Sequence, residues 1–322
     1  MSPLDLLESF DDLAPEPDDF LSEVLKGLRE KPKTLPCKFF YDEIGSKLFD
    51  QICDLPEYYP TRTEVALLET TSPEIARCVG RNAYIIEYGC GSVRKIRPLL
   101  DALDSPVAYV AVDISREHLI ASAETLAQDY PDVEVHAVCA DFTKPFTVKA
   151  HADARRVGFF PGSTIGNFRR DDAERFLENA AGFLGSGGAM VIGIDLKKDE
   201  KILKAAYNDA QGVTAAFNMN LLDRINRELD ADFDLSKFRH EAHYNEEAGR
   251  VEMHLYSVED QVVHVNGRRF DFAGGESIHT ENSHKYSVDD FREMARRAGF
   301  SPEQVWVDSE KLFSIHYLTI PD

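Results

Sequence analysis

Basic side chains are scarce in this chain: 36 Lys and Arg stand against 57 Asp and Glu among 322 residues, a formal net charge of −21. So acidic a surface repels phosphate backbones and anionic headgroups, which argues against nucleic acid or a membrane as partner. Long apolar runs are missing too. None approaches the roughly 20 residues that span a bilayer, and Met1-Ser2-Pro3-Leu4-Asp5 lacks the basic and apolar stretches of a secretory leader. Cysteine is sparse and unpatterned. Cys37, Cys53, Cys78, Cys90 and Cys139 are odd in number and far apart, with no C-x-x-C, so neither a disulfide framework nor a cysteine-ligated zinc site is expected. These absences leave a reduced, cytoplasmic globular protein acting on a small molecule, expected as a monomer. At 43% hydrophobic residues the chain can build one large α/β domain or two smaller ones.

Residues 1–25 hold eight acids and no Lys or Arg, with Pro3, Pro15 and Pro17 among them, so residues 1–17 read as a loosely ordered acidic arm. Leu21, Val24, Leu25 and Leu28 then recur at helical spacing, up to Lys31-Pro32. The aromatics Phe39-Phe40-Tyr41 and Tyr58-Tyr59 crowd a short proline-bounded stretch, where they line a core or a pocket. From Ala83 to Asp195 continuous apolar strands (83–88, 107–112, 133–139, 156–160, 189–195) alternate with helices (116–128, 171–184), the first with Ser115 as N-cap. That rhythm predicts a parallel sheet covered on both faces. It breaks after Asp195. Residues 197–238 read as helical and about 240–286 as antiparallel strands, with turns at Asn245-Glu246-Glu247 and Asn266-Gly267. A helix at 287–298 and strands near 303–307 and 312–320 close the chain, giving an α/β sheet interrupted by an insertion.

Ile85-Ile86-Glu87-Tyr88-Gly89-Cys90-Gly91-Ser92-Val93-Arg94-Lys95 is a strand running into a glycine turn that opens a helix, the place where open α/β sheets bind nucleotide-like ligands. The third glycine of a dinucleotide fingerprint is replaced by Arg94, and Glu87 would repel a pyrophosphate. S-adenosylmethionine (SAM) has no phosphate. Its ammonium suits Glu87 and its carboxylate suits Lys95, one turn into the helix. Asp113 ends the next strand, placed to accept from both ribose hydroxyls, and Asp141-Phe142 follows the third, suited to an adenine amino group and ring face. Gly162-Ser163-Thr164-Ile165-Gly166-Asn167 lets backbone approach a ligand, and Asn167 offers donor and acceptor. The fold reading is a Rossmann-like class I SAM methyltransferase sheet with an inserted α+β substrate-binding domain.

Phe40-Tyr41-Asp42, Leu55–Glu64, Gly162–Asn167, Tyr207-Asn208-Asp209, Gly212–Asn218 and Glu252-Met253 together resemble the L-histidine Nα-methyltransferases, over nearly the whole chain from about residue 20. The resemblance implies trimethylation of histidine to hercynine in ergothioneine biosynthesis, with histidine and its mono- and dimethyl forms as substrates. It implies Gly89, Lys95, Asp113, Asp141 and Phe142 as SAM ligands. It places Tyr58, Asn167, Tyr207, Met253 and the Glu281-Asn282-Ser283 stretch around histidine, with Glu281 and Ser283 on the imidazole and Tyr41 near the reacting amine. The domains expected are 66–196 with 287–322 for SAM and 18–65 with 197–286 for substrate. Competing readings are a methyltransferase of another amine, a nicotinamide-dependent oxidoreductase and a non-catalytic SAM-binding protein. The pairs His240/His243 and His279/His284 match no recognised zinc spacing, so no metal is assigned.

Overall fold

The computed structural model describes residues 6–13, 17–149, 151 and 154–321. Two compact units emerge, one of Met1–Ala14, Pro60–Lys198 and Lys285–Asp322, the other of Pro15–Tyr59 and Asp199–His284.

The first unit carries β1 (Ser9–Leu13), α3 (Tyr59–Val79), β3 (Ala83–Tyr88), α4 (Arg97–Ala102), β4 (Ala108–Asp113) and α5 (Arg116–Asp129). It continues with β5 (Glu134–Ala140), β6 (Arg155–Phe160), α6 (Arg170–Leu184), β7 (Ala189–Asp195), α9 (Val288–Arg297), β13 (Ser301–Val307) and β14 (Phe313–Thr319). The sheet runs β1-β5-β4-β3-β6-β7-β14-β13, with β14 antiparallel to both neighbours and the other pairings parallel. Its central strands are apolar on both faces, because both faces are covered. Ile85, Tyr109, Ala111 and Phe159 pack with Leu67, Leu68, Ile75 and Leu119 on one side. Ile86, Val110, Ile192 and Ile194 pack with Phe176, Leu177, Phe291 and Met294 on the other. In this order the chain reverses direction across the sheet between β3 and β6. The crevice beyond their carboxyl ends is therefore flanked by the Gly89 turn and the Gly162 loop, where doubly wound sheets hold ligands.

Three expectations need correction here. The acidic arm is not loose throughout: Ser9–Leu13 pairs in parallel with β5, while residues 1–5 and 14–16 lie outside the described residues. Cations offset its acids, Arg116 meeting Asp12 at 3.0 Å and Lys149 meeting Glu8 at 2.9 Å. The boundary expected at residue 65 falls at Pro60, because α3 buries Leu67, Leu68, Ile75 and Val79 in the first unit's core. The helix after the glycine turn begins at Arg97, with proline in its first turn, so Lys95 lies in the preceding turn.

The second unit contains α1 (Pro17–Gly27), β2 (Lys33–Thr34), α2 (Glu43–Cys53), α7 (Glu200–Tyr207), α8 (Val213–Leu229) and five further strands. Those strands are β8 (Phe238–Asn245), β9 (Arg250–Ser257), β10 (Gln261–Val265), β11 (Arg268–Phe272) and β12 (Ser277–His284). They form a four-stranded sheet, β2-β12-β9-β8, and the hairpin β10-β11, whose turn residues Asn266 and Gly267 have φ of 46° and 71°. Alternation along β9 turns Val251, Met253 and Leu255 into the core and leaves Glu252, His254 and Tyr256 on the half-buried face. A bulge between His279 and Glu281 shifts the register of β12 against β9. Among the described residues no helix is long and apolar enough to cross a membrane, and no disulfide forms.

Candidate active site

In the first unit the expected cofactor residues collect around the carboxyl ends of β3, β4 and β5. Gly89 has φ 78°, and a side chain there would point at the Phe142 ring, 3.6 Å away. Glycine is thus needed both for the backbone and for access to that ring. Phe142 is steadied edge-on by Tyr88, Phe160 and Phe176, leaving an aromatic platform of the kind a base stacks on. Asp113 accepts from the Ser115 N–H at 2.8 Å through one oxygen, so it serves the start of α5 that Ser115's own side chain does not cap. Burial pushes its carboxyl up to about 6. Asp141, buried, accepts from the Thr143 amide at 3.1 Å and from its hydroxyl. Two carboxylates and an aromatic face at successive strand ends suit a ribose and an adenine, so the residues fit SAM.

Glu87 departs from expectation. Its side chain points to the α3 side of β3, where the Tyr109 hydroxyl donates to it at 2.5 Å beside Cys90, and only 1% of the residue is exposed. Burial pushes its carboxyl up to about 8, outweighing the Tyr109 hydrogen bond and the Lys95 charge. At neutral pH it is largely a neutral acid under the glycine turn. Neither the repulsion of pyrophosphate nor the ammonium contact expected of an open carboxylate follows from this geometry.

Lys95 reaches Glu64 at 2.9 Å. The same carboxylate, 1% exposed, accepts the Gly162 N–H through both oxygens at 2.9 Å. Sequence reading passed over Glu64 as part of the tyrosine-rich segment. The clue was an acid one helical turn beyond Pro60, on the face that α3 buries. The glycine loop is held from below as well: Ser163, with φ 54°, accepts the Asp195 N–H at 2.8 Å through its hydroxyl. Asp195 in turn pairs with fully buried Lys285 at 2.6 Å and with Lys198. Burial pushes Asp195 up, but the two ammonium groups outweigh it and hold the carboxyl below its ordinary value. Asn167 ends the short 3-10 turn, Thr164–Asn167, that this arrangement supports.

The second unit brings together most of the expected histidine-binding residues. The Tyr207 and Ser283 hydroxyls bond at 2.7 Å, and the Tyr58 and Tyr207 rings meet edge to face with centroids 6.2 Å apart. Burial, reinforced by Tyr207, Cys53, Tyr41 and Glu281 nearby, raises the Tyr58 hydroxyl well above its ordinary value, so it stays protonated. Glu281 lies opposite Met253 in the ladder, both on the inner face with Ser283. Tyr41 packs edge-on against Phe49 and Phe217, and Asp42 caps α2 while accepting from Asn220 at 2.8 Å. Asn282 is the exception. Alternation turns it away from Glu281 and Ser283, opposite Glu252, so its side chain is not part of this group. His240 bonds Asn218 and the Tyr207 carbonyl, each at 2.9 Å. This histidine therefore positions Tyr207, a role the sequence did not reveal.

A family model described as histidine-specific, SAM-dependent methyltransferase matches residues 20–320. The chain belongs to that family. It is 42% identical over 291 residues to the histidine N-alpha-methyltransferase of Mycolicibacterium smegmatis, covering 89% of this chain and 90% of that protein. It is 41% identical over 298 residues to the enzyme of the same name from Mycobacterium tuberculosis, covering 91% and 92%. Ergothioneine biosynthesis protein 1 of Neurospora crassa is 32% identical over 301 residues, which cover 90% of this chain and 33% of that protein. The chain is thus a SAM-dependent, histidine-specific methyltransferase, and its sheet order is that of a Rossmann-like class I fold.

Proposed function

We propose that this methyltransferase trimethylates the α-amine of L-histidine to hercynine, the first step of ergothioneine biosynthesis. The observation that carries the reading is the inner face of β12. There a carboxyl (Glu281) and a hydroxyl (Ser283) lie two residues apart, with Ser283 bonded to Tyr207 at 2.7 Å. One acceptor and one adaptable hydroxyl suit an imidazole, which presents one N–H and one lone pair. Asn167 and Tyr207 would hold the carboxylate, and Tyr58, a neutral hydroxyl, would donate to the same end of the substrate.

SAM supplies an electrophilic methyl on a sulfonium, and Gly89, Lys95, Asp113, Asp141 and Phe142 would hold it. Lys95 acts with Glu64 to set the Gly162 loop. The chain's task is chiefly to fix amine, methyl and sulfur in line, a positioning effect that contributes about 7–11 kcal/mol. The amine must be neutral to attack, and the Tyr41 hydroxyl would relay its proton, taking it up as the phenol's own proton passes to solvent; a strong base is not required. Anchoring the imidazole and carboxylate away from the nitrogen leaves room as methyl groups accumulate there. We take the working enzyme to be a cytoplasmic monomer without nucleic acid or membrane partners, in keeping with its net charge of −21.

Incubation with SAM and a mixture of the proteinogenic amino acids, followed by mass spectrometry, tests the reading. Successive methyl additions ending at the trimethyl form, on histidine alone, are expected. Methylation of another amino acid in preference to histidine would overturn it.

A further inference from the structure

We propose that Glu252, His254 and His279 form a divalent transition-metal site on the half-buried face of the four-stranded sheet. A ligating oxygen or nitrogen from each lies within 4.8 Å of those of the other two. The topology explains how residues so far apart in sequence meet. His254 and His279 are direct partners across β9 and β12, their rings stacked with centroids 4.8 Å apart. Glu252 lies two residues before His254, on the same face of β9.

Glu252 and His254 are each held so that one atom faces the other, and a turn of the His279 ring about its Cβ–Cγ bond, out of the stack, would bring a nitrogen to the same ion. Glu252 Oε1 accepts from Arg250 Nε at 2.7 Å and from Asn245 Nδ2 at 3.1 Å, while Oε2 faces His254 Nε2 at 3.3 Å. His254 Nδ1 meets the Ser277 hydroxyl at 3.2 Å, so ligation through Nε2 places the ring proton where Ser277 accepts it. His279 Nε2 meets the Glu281 carbonyl oxygen at 2.9 Å, a contact that ligation through Nδ1 would keep. Ligating histidines ordinarily donate their second ring N–H to a carbonyl or similar acceptor, which fixes tautomer and orientation.

A further oxygen adjoins the cluster. Asn282 sits opposite Glu252 in the ladder, and its Oδ1 is buried without a hydrogen-bond partner. An unsatisfied buried carbonyl costs free energy, and a cation is one partner that would relieve it. Two imidazoles, a carboxylate and an amide oxygen or water suit Zn²⁺, and also Ni²⁺ or Cu²⁺. The cluster Glu134, His136 and His151 in the first unit is less suited, because the Lys149 ammonium lies 3.5 Å from the same Glu134 oxygen that faces both histidines, whereas Arg250 holds the Glu252 oxygen turned away from His254.

Zn²⁺ titrated into EDTA-dialysed full-length protein, in competition with a chromophoric chelator and with no histidine present, tests the proposal. One tight equivalent per chain is expected. Glu252→Gln and His254→Gln should each weaken it by about tenfold or more, as should Asn245→Ala through the orientation of Glu252. His264→Gln, at an exposed histidine on β10, should bind as the unaltered chain does. Thermal melts guard against misfolded variants: Zn²⁺ should raise the midpoint of the unaltered chain, EDTA should reverse the rise, and His254→Gln should show none. Absence of a tight equivalent, or equal binding by His254→Gln, would overturn the site.

Discussion

Glu64 and Lys95 form an ion pair at 2.9 Å in which the acid's side chain is 1% exposed and the lysine's 15%. The same carboxylate accepts the Gly162 N–H, so one residue of α3 joins the turn after β3 to the loop after β6. Truncation to alanine removes this acceptor from a partly buried ammonium and a backbone amide. Glu64→Ala should cost about 3 kcal/mol in urea unfolding, and Glu64→Gln less, since its amide oxygen can still serve Gly162. SAM affinity should fall in the same order. An alanine variant as stable as the unaltered protein would remove this pair from the account.

Gly193 on β7 has a related role. A Cβ there would lie 2.0 Å from Glu64 Oε1 and 3.0 Å from the Phe313 ring. Gly193→Ala therefore has to displace the carboxylate, an overpacking cost of about 1–3 kcal/mol. Calorimetric titration with S-adenosylhomocysteine should show affinity lowered by about tenfold, or roughly 1.4 kcal/mol. Unchanged affinity would mean that Glu64 can move without consequence for the cofactor side.

Substrate recognition should separate from cofactor binding. Glu281→Ala is expected to raise the KM for histidine by at least about tenfold, on the scale of a lost charged hydrogen bond, with SAM affinity nearly unchanged. Tyr207→Phe and Ser283→Ala each break the 2.7 Å bond between their hydroxyls. Their effects on kcat/KM should therefore fall short of additive, with a coupling of about 1 kcal/mol. Strict additivity would show that the two hydroxyls act independently.

The buried Glu87 makes stability depend on pH. Its folded value of about 8 lies above the ordinary 4.5, so between those values the folded chain keeps a proton that the unfolded chain releases. The associated stability is present at the acid end and lost as pH rises through about 8. Thermal midpoints should fall between about pH 6 and about pH 9, and fall less in Glu87→Gln, which cannot ionise. Identical pH profiles for the two proteins would contradict the assignment.

Much of the sheet was legible because buried parallel strands are written as uninterrupted apolar runs: Ala83–Tyr88 and Ala189–Asp195 have the bounds their patterns predict. The glycine turn, Asp113 and Asp141-Phe142 lie at the ends of β3, β4 and β5, where the same apolar runs put them. Glu87 misled because sequence shows a charge but not which way a strand side chain points, nor that Tyr109 lies beneath it. Asn282 misled in the same way, as a neighbour of two inward-facing residues on a strand that alternates. The partners of Glu64 and His240 and the pairing of β1 with β5 were beyond reach, because each lies far away in the chain.

The short strand β1 has one further consequence. It covers the outer backbone of β5 and becomes the margin of the sheet itself. The margin it offers carries adjacent aspartates, Asp11 and Asp12, both exposed. A second molecule laying a strand there would bring like charges side by side, so the arm that shields one edge also keeps that edge from recruiting neighbours. Cleavage just after it would uncover the backbone of β5, whose Val135, Ala137 and Cys139 make one face apolar, and leave an edge prone to stack.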